Sequence, residues 1–230
     1  MIILSLNTST KQYSLALLES ETVLGEYLLS SGSSHYRDLM PCIDELLKRA
    51  SLSPEQLEGV TVAIGPGSFT GIRVGLAVAK GLSQGLGIPL IGVPTLAGLA
   101  SQIYYARKDI CPVVTSRKGE VFAALFRRDP DNQLTRIKQD ASLKVGDLPL
   151  LIKRKTIIIG NDFTAQGPII QQCVGKKALL APQILWNLRA SSIGALALQR
   201  LLEGSSDSVS ELVPLYLRGA DIRVRKNPLG

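Results

Sequence analysis

At 230 residues, 45% of them hydrophobic and only 20% charged, the chain has length for one domain or two small ones and the composition of an ordered α/β protein rather than a disordered one. Its formal charge of +7 is unevenly placed: residues 1–106 hold six basic and eight acidic side chains, residues 107–230 twenty and eleven. A basic second half can attract a polyanion such as RNA, but its cations come mostly as separate doublets (Arg107-Lys108, Arg117-Lys118, Arg127-Arg128, Lys176-Lys177), the pattern of a solvated surface.

The first apolar run, Ile2 to Leu6, is short, lacks a basic flank and is followed by Asn7-Thr8-Ser9-Thr10; it reads as a strand, neither a signal peptide nor a membrane span. Tyr13–Leu18 and Val23–Leu29 complete a meander of three strands. Ser34 is placed to cap a helix in which Tyr36, Leu39, Met40, Ile43, Leu46, Leu47 and Ala50 recur at helical spacing. Ser53-Pro54 opens a short helical turn, and Val60–Ile64 is a buried strand. After a glycine-rich segment, Ile88–Val93 reads as a strand and Thr95–Tyr105 as a helix. A second set follows: Val113–Ser116 and Glu120–Arg127 as a hairpin, Leu134–Val145 as a third strand, and Thr156–Gly160 as a buried strand. Helices are expected over Ala165–Val174 and Ala190–Leu202, the latter ending at Gly204. The same element order thus occurs twice, which predicts a duplicated α/β architecture: a domain over 1–107, a second over 108–220, and a mobile basic tail over 221–230. Cys42, Cys111 and Cys173 are odd in number and lack C-x-x-C spacing, so they read as reduced, buried or half-buried thiols of a cytosolic protein.

The most informative stretch is Gly65 to Leu82, GPGSFTGIRVGLAVAKGL, because strand, glycine turn and helix in that order can bring backbone amides to a phosphate. From Gly59 to Lys108 there are fifty residues without Asp, Glu or His, so a phosphate cradle fits here but no general acid, general base or carboxylate metal ligand does. The turn is not a Walker A loop, and its glycine spacing misses the dinucleotide fingerprint. Ligand contact and simple close packing both stay open. In the helix, Gly71, Gly75 and Ala79 recur every four residues with Val78 and Leu82 beside them, while Arg73, Lys80 and Gln84 form a narrow polar arc. Such a helix is either enclosed by its own domain or packs one face on a partner, with the helix over 35–50 beside it. The single histidine, His35, sits at a helix start with no G-x-S-x-G elbow in the chain; a packing or interface role suits it better than catalysis. No His, Cys or carboxylate cluster has metal-ligand spacing.

MIILSLNTSTKQYSLAL, GPGSFTGIRVGLAVAKGL, IPLIGVPTLAGLA, SRKGEVFAALF and VPLYLRGAD together resemble the bacterial TsaB family, a branch of the actin-like ATPase superfamily concerned with threonylcarbamoyladenosine in tRNA; the likeness runs from residue 1 to about 221. The resemblance implies a duplicated actin-like (ribonuclease H-like) ATPase fold, two domains each with a mixed sheet flanked by helices, the second degenerate. It also implies a non-catalytic subunit that pairs with the transferase TsaD and with the small ATPase TsaE, and that homodimerises through the same helical surface. The modified nucleoside would be the adenosine beside the anticodon in tRNAs reading codons that begin with A, with tRNA met through the complex. Where the catalytic relative has N-H-x-x-x-H, this chain has Thr95 and Leu99 at the histidine positions. Asn7 stands where the family usually has Asp, and Thr115-Ser116 where D-A is usual, both of which disfavour a hard cation.

These readings give two candidate sites. The first is a partner surface of His35, Leu39, Cys42, Ile43 and Leu46 with Gly71, Arg73, Gly75, Val78, Ala79 and Leu82. The second is a vestigial nucleotide site of Asn7, Thr8, Ser9, Gly65, Gly67 and Ser68, with weak ATP or ADP binding left open, no other cofactor and no metal. An autonomous actin-like ATPase or phosphotransferase, a metallopeptidase, and a free-standing RNA-binding protein are the rival classes.

Overall fold

The computed structural model describes residues 1–30 and 37–217. His35, the Ser34 cap, Tyr36 and the 221–230 tail lie outside them. Strands β1 (Ile2–Asn7), β2 (Gln12–Glu19) and β3 (Thr22–Ser30) form an antiparallel meander. After α1 (Leu39–Arg49), β4 (Gly59–Gly65) runs parallel to β1, and after α2 (Phe69–Leu86), β5 (Leu90–Pro94) runs parallel to β4. The sheet order is β3-β2-β1-β4-β5. Helix α3 (Thr95–Ser101) leads to the second sheet of β6 (Asp109–Thr115), β7 (Glu120–Arg128), β8 (Leu134–Lys144), β9 (Thr156–Gly160) and β10 (Ala178–Leu180). Helices α4 (Leu148–Leu151), α5 (Phe163–Val174) and α6 (Ala190–Leu202) are the remaining α-helices among the described residues. The second order, β10-β9-β6-β7-β8, repeats the first strand for strand. The fold is a duplicated actin-like α/β architecture with two mixed sheets.

The elements largely follow from the sequence, but the short helix α4 is not expected from it. Helix α3 stops at Ser101, short of Tyr105. Strand β6 begins at Asp109, four residues before the expected start, because Pro112 interrupts the apolar run yet sits mid-strand. Pro112 has no N–H to give, and the β6–β7 ladder is broken there between the Ile110–Phe126 and Val113–Ala123 pairs. Three-residue β10 carries too little pattern to be read alone and exists by pairing with β9. Cys173 is exposed on α5, whereas Cys42 is half-buried and Cys111 fully buried, its thiol pushed up to about 12 by burial. Among the described residues, no helix is long and apolar enough to cross a membrane.

The two sheets exchange their last helices. Helix α3 packs on β6, β7, β8 and β9 as well as on β4 and β5, while α6 returns to β1, β2, β4 and β5. Gly194 permits that return, since a Cβ there would stand 2.5 Å from Ser5 Oγ. Glu26 anchors the start of α6 by accepting from Ser191 N (3.0 Å), Ser191 Oγ (2.9 Å) and Arg189 Nη1 (3.0 Å), an anion at a helix N-terminus. One apolar cluster therefore runs from Ile3, Ala63 and Ile91 through Leu96 and Leu99 to Val113, Phe126 and Ile158. The opposite face of the first sheet is covered by α1 and α2 through Leu39, Ile43, Leu46, Leu76 and Ala79. Residues 205–217 form a strap along the free edge of β5: Asp207 N donates to Leu90 O (2.8 Å), Gly92 N to Asp207 Oδ2 (2.8 Å), and Leu215 N to Ile64 O (2.7 Å). This covers an edge that would otherwise recruit another strand.

At the start of β6, buried Asp109 accepts from Arg127 Nε (2.8 Å), Arg154 Nε (2.7 Å) and Arg154 Nη2 (2.6 Å). Burial pushes its carboxyl up, but the bonds from Arg154 and Arg127 outweigh that and hold it below the usual carboxylate range. A depressed folded pKa stabilises the fold above the unfolded value, and that stability is lost as pH falls through the folded one. Asp109→Asn is therefore expected to lower unfolding free energy by about 2 kcal/mol at pH 7. The deficit should shrink as pH drops below the ordinary Asp range near 4, read by urea denaturation of both proteins across pH 3 to 7.

Candidate functional site

The C-terminal ends of β1, β4, β6 and β9 meet around a cleft of about 520 Å³ between the sheets, the place where open α/β sheets bind ligands. Its walls include Ser9, Thr10 and Lys11 from the β1–β2 turn, Gly67 and Ser68 from the glycine turn, and Thr115, Ser116 and Asn161 from the second sheet. None of its lining residues is acidic.

The residues expected to hold a nucleotide are brought together here, and they bond mainly to one another. Asn7 is fully buried: its Nδ2 donates to Thr10 Oγ1 (2.9 Å) and Leu188 O (3.1 Å), while Oδ1 accepts from Ser9 N (3.0 Å) and Ser9 Oγ (2.8 Å). It is thus saturated as the staple of a turn. Thr8, also buried, donates from Oγ1 to Gly71 O (2.7 Å). Ser9 O takes Ser68 N (2.7 Å), and a Cβ on Gly67 would stand 2.1 Å from that oxygen. Ser68 caps α2 by accepting from Gly71 N (3.2 Å). Gly65, at φ 111°, lies under the strap, where a Cβ would meet Leu215 O at 2.7 Å. Of the six, Ser9, Gly67 and Ser68 reach the cleft wall; Asn7, Thr8 and Gly65 do not. For a magnesium nucleotide this is a poor donor set, since the lining offers a hard cation neutral hydroxyl and amide oxygens and no carboxylate.

Thr115 takes part in a neutral network instead. Its N–H donates to Asn161 Oδ1 (3.0 Å) and its Oγ1 accepts from Gln166 Nε2 (3.1 Å), with Gln166 Oε1 holding Asp162 N (3.1 Å). A smaller adjoining cavity of about 320 Å³ includes Asp162, whose carboxylate caps α5 by accepting from Ala165 N (3.1 Å). At the mouth of the main cleft, Tyr216 stacks on Phe69 (ring centroids 5.1 Å), and Arg73 lies 3.8 Å over Phe69 while donating to Tyr216 Oη (2.8 Å). The sequence reading did not place Tyr216 or Lys11 at the site; Tyr216 arrives from 143 residues away by a strap with no periodic signature.

The expected partner surface needs correction. Leu39, Ile43 and Leu46 of α1 are 1–3% exposed and belong to the sheet's own core. Gly71, Gly75 and Ala79 are also buried, because α2 turns that row toward β1 and β4. A Cβ at Gly75 would stand 2.1 Å from Thr8 Oγ1, so this glycine serves internal close packing. Arg73 is exposed, and Val78 and Leu82 are half-exposed. They flank the row that does face outward, Ala77, Gly81 and Gly85, with nothing within 4 Å of a Cβ on either glycine, while Val74 is half-buried against the core beneath α2. Cys42 is half-buried beside Tyr13, whose phenol is pushed up to about 12, first by burial and then by the Cys42 thiol. Met40 is 50% exposed on α1.

A family profile described as "TsaD: tRNA N6-adenosine threonylcarbamoyltransferase" matches residues 28–224. The chain is 29% identical to the tRNA threonylcarbamoyladenosine biosynthesis protein TsaB of Bacillus subtilis, over 98% of this chain and 97% of that protein. It is 28% identical to TsaB of Escherichia coli, over 95% of each chain. The chain belongs to the TsaB family. The solved structure "YeaZ from Pseudomonas aeruginosa", at 21% identity, covers 94% of this chain and 100% of its own with a TM-score of 0.76, which supports the fold.

Within this TsaB-family chain, the two positions that the resemblance sets against the transferase histidines are core. Thr95 and Leu99 are fully buried, and Thr95 Oγ1 donates to Ser9 Oγ (2.9 Å). The two sides of α2 predict opposite responses to substitution. Gly75→Ala should destabilise the fold by about 2 kcal/mol through overpacking against Thr8. Gly85→Ala, in open space, should stabilise it by about 0.5–1 kcal/mol through helix propensity. Urea unfolding midpoints of the two variants check both signs.

Proposed function

We propose that this chain works in tRNA threonylcarbamoyladenosine biosynthesis as a non-catalytic subunit, docking the outward faces of α2 and α1 onto a TsaD-type transferase. In this reading the product is threonylcarbamoyl on N6 of the adenosine beside the anticodon in tRNAs reading codons that begin with A. The observation that carries it is the chemistry of the cleft: every wall is neutral or basic, and Asn7 and Thr95 spend their polar atoms on neighbouring turns. A chain so built has no carboxylate there to position a metal or accept a proton. The TsaB relatives, named for the same biosynthesis and matched over nearly their whole length, support the pathway.

The outward row Ala77, Gly81 and Gly85 supports docking as the mode of action. Small residues let another helix approach closely, and half-exposed Val78 and Leu82 border the row with apolar surface. A helix pair from the partner would complete a four-helix contact and hold the partner's lobes in a competent arrangement. A second copy of this chain would use the same face when the partner is absent, and a TsaE-type ATPase would join the assembled pair. The rival reading, an autonomous actin-like ATPase, phosphotransferase or metallopeptidase, rests on the fold alone.

Gly81→Leu is expected to leave the isolated chain folded, because its side chain enters open space and leucine is the better helix former. It should weaken co-elution with the cognate TsaD at least ~10-fold, as overpacking at a close helix contact does, and reduce threonylcarbamoyladenosine in complemented cells. Undiminished association would remove the docking face. Robust ATP turnover or peptide cleavage by the purified chain alone would replace this function with the rival one.

A further inference from the structure

The register of the second sheet gathers charge that is scattered in sequence. Asp109 of β6 pairs with Thr156 of β9, and Ala178 of β10 pairs with the same Thr156, so three parallel strands start at one level. Each start is preceded by exposed cations: Arg107-Lys108, Lys153-Arg154-Lys155 and Lys176-Lys177. Antiparallel β7 ends at the same level with Arg127 and Arg128, since Phe126 lies opposite Ile110. What reads as isolated doublets becomes one basic row across four neighbouring strands, about 15 Å long at 4.8 Å per strand. The row lies at the end of the sheet opposite the cleft, which is built at the other ends of β6 and β9.

Only part of this charge is neutralised. Asp109 holds Arg127 and Arg154, and Arg128 donates to the carbonyls of Ser101, Ile103 and Asn132. Among the described residues, no carboxylate pairs with Lys108, Lys153, Lys155, Lys176 or Lys177. The duplicated fold supplies its own comparison. At the matching end of the first sheet, the residues just before β1, β4 and β5 include no Lys or Arg, and exposed Glu19, Glu21 and Glu58 stand there. The architecture therefore does not require cations at this end.

Beside the row, the loop after α3 displays two aromatic side chains, Tyr104 at 58% and Tyr105 at 83% exposure. The Arg128 guanidinium lies 5.0 Å from the Tyr104 ring. Cations that follow a backbone, next to rings on which unpaired bases can stack, are the two components of single-stranded RNA binding; an acidic protein would use the first and have no need of the second.

We infer that this end of the second sheet is an RNA-binding surface: the lysines meet phosphates of the tRNA substrate, and Tyr104 and Tyr105 meet unstacked bases. The inference rests on the proposed function for the identity of the RNA and adds direct contact by this subunit. The test uses the full chain, alone and with its cognate TsaD, and an unmodified tRNA transcript followed by fluorescence anisotropy from 50 to 200 mM salt. Replacing Lys108, Lys153, Lys155, Lys176 and Lys177 by Gln should weaken binding at least ~10-fold and reduce the slope of log K against log salt by about 3. Tyr105→Ala should weaken binding with the salt slope unchanged, and neither variant should lose co-elution with TsaD. Wild-type binding by the five-lysine variant, or no salt-dependent binding by the wild type at 50 mM salt, overturns the surface. Displacement of the transcript by poly-glutamate as readily as by unlabelled tRNA also overturns it, in favour of an acidic protein partner. Failure of the pathway reading looks different: cells lacking the chain would keep their threonylcarbamoyladenosine.

Discussion

The closest approach in the molecule that organises everything else is that of α2 to the turn after β1. Thr8 gives its hydroxyl proton to the Gly71 carbonyl, and Gly75 is bare where any side chain would collide with Thr8. One turn earlier, the Ser9 carbonyl takes the Ser68 amide, and Gly67 is bare for the same reason. These contacts draw the helix start onto the β1–β2 turn and direct donors that could hold a phosphate into the protein itself. They also fix the rotation of α2. With Gly71, Gly75 and Ala79 committed inward, Ala77, Gly81 and Gly85 are left facing out.

That rotation marks the boundary of what the sequence makes legible. The strand–turn–helix order around Gly65–Leu82, the meanders and the duplicated topology all follow from apolar periodicity and turn chemistry. Periodicity does not say which of two small-residue rows meets the sheet, because both repeat every four residues on a helix with apolar residues on most sides. The decision is made by Thr8, more than sixty residues upstream, whose hydroxyl has a carbonyl to reach only if Gly71 turns inward. The strap over 205–217 was hidden for a related reason: it is held by single bonds such as Leu215 N to Ile64 O, which need the finished edge of the first sheet. The basic row was visible as doublets, but their convergence depends on strand register, which no local signal encodes.

Exchange of α3 and α6 ties the two sheets together through one core. Each sheet covers part of its apolar face with the helix that leaves the other, so Leu96, Leu99 and Ile193 sit in a core to which both sheets contribute. Separating the sheets would expose that core, at a hydrophobic cost that grows with the area uncovered. Here Asn7 ties the β1–β2 turn to Leu188, just before α6, and the Thr115–Asn161–Gln166 network closes the opposite wall without a charge. Neutral bonds thus fasten the cleft on both sides.

Those surfaces are well separated. Helix α2 covers the outer face of the first sheet, the cleft lies at the C-terminal ends of the parallel strands, and the basic row lies at the far end of the second sheet. Strand β6 alone, seven residues long, puts about 23 Å between its cleft end and its basic end. A protein partner on α2 and an RNA on the basic row could therefore be held together without competing for the same atoms. Duplication makes this division available, because two sheets with identical strand order offer two equivalent ends. Glu19, Glu21 and Glu58 at one, and lysines at the other, give those ends opposite preferences for an anionic partner. Topology fixed the positions, and side-chain chemistry then made the two copies different.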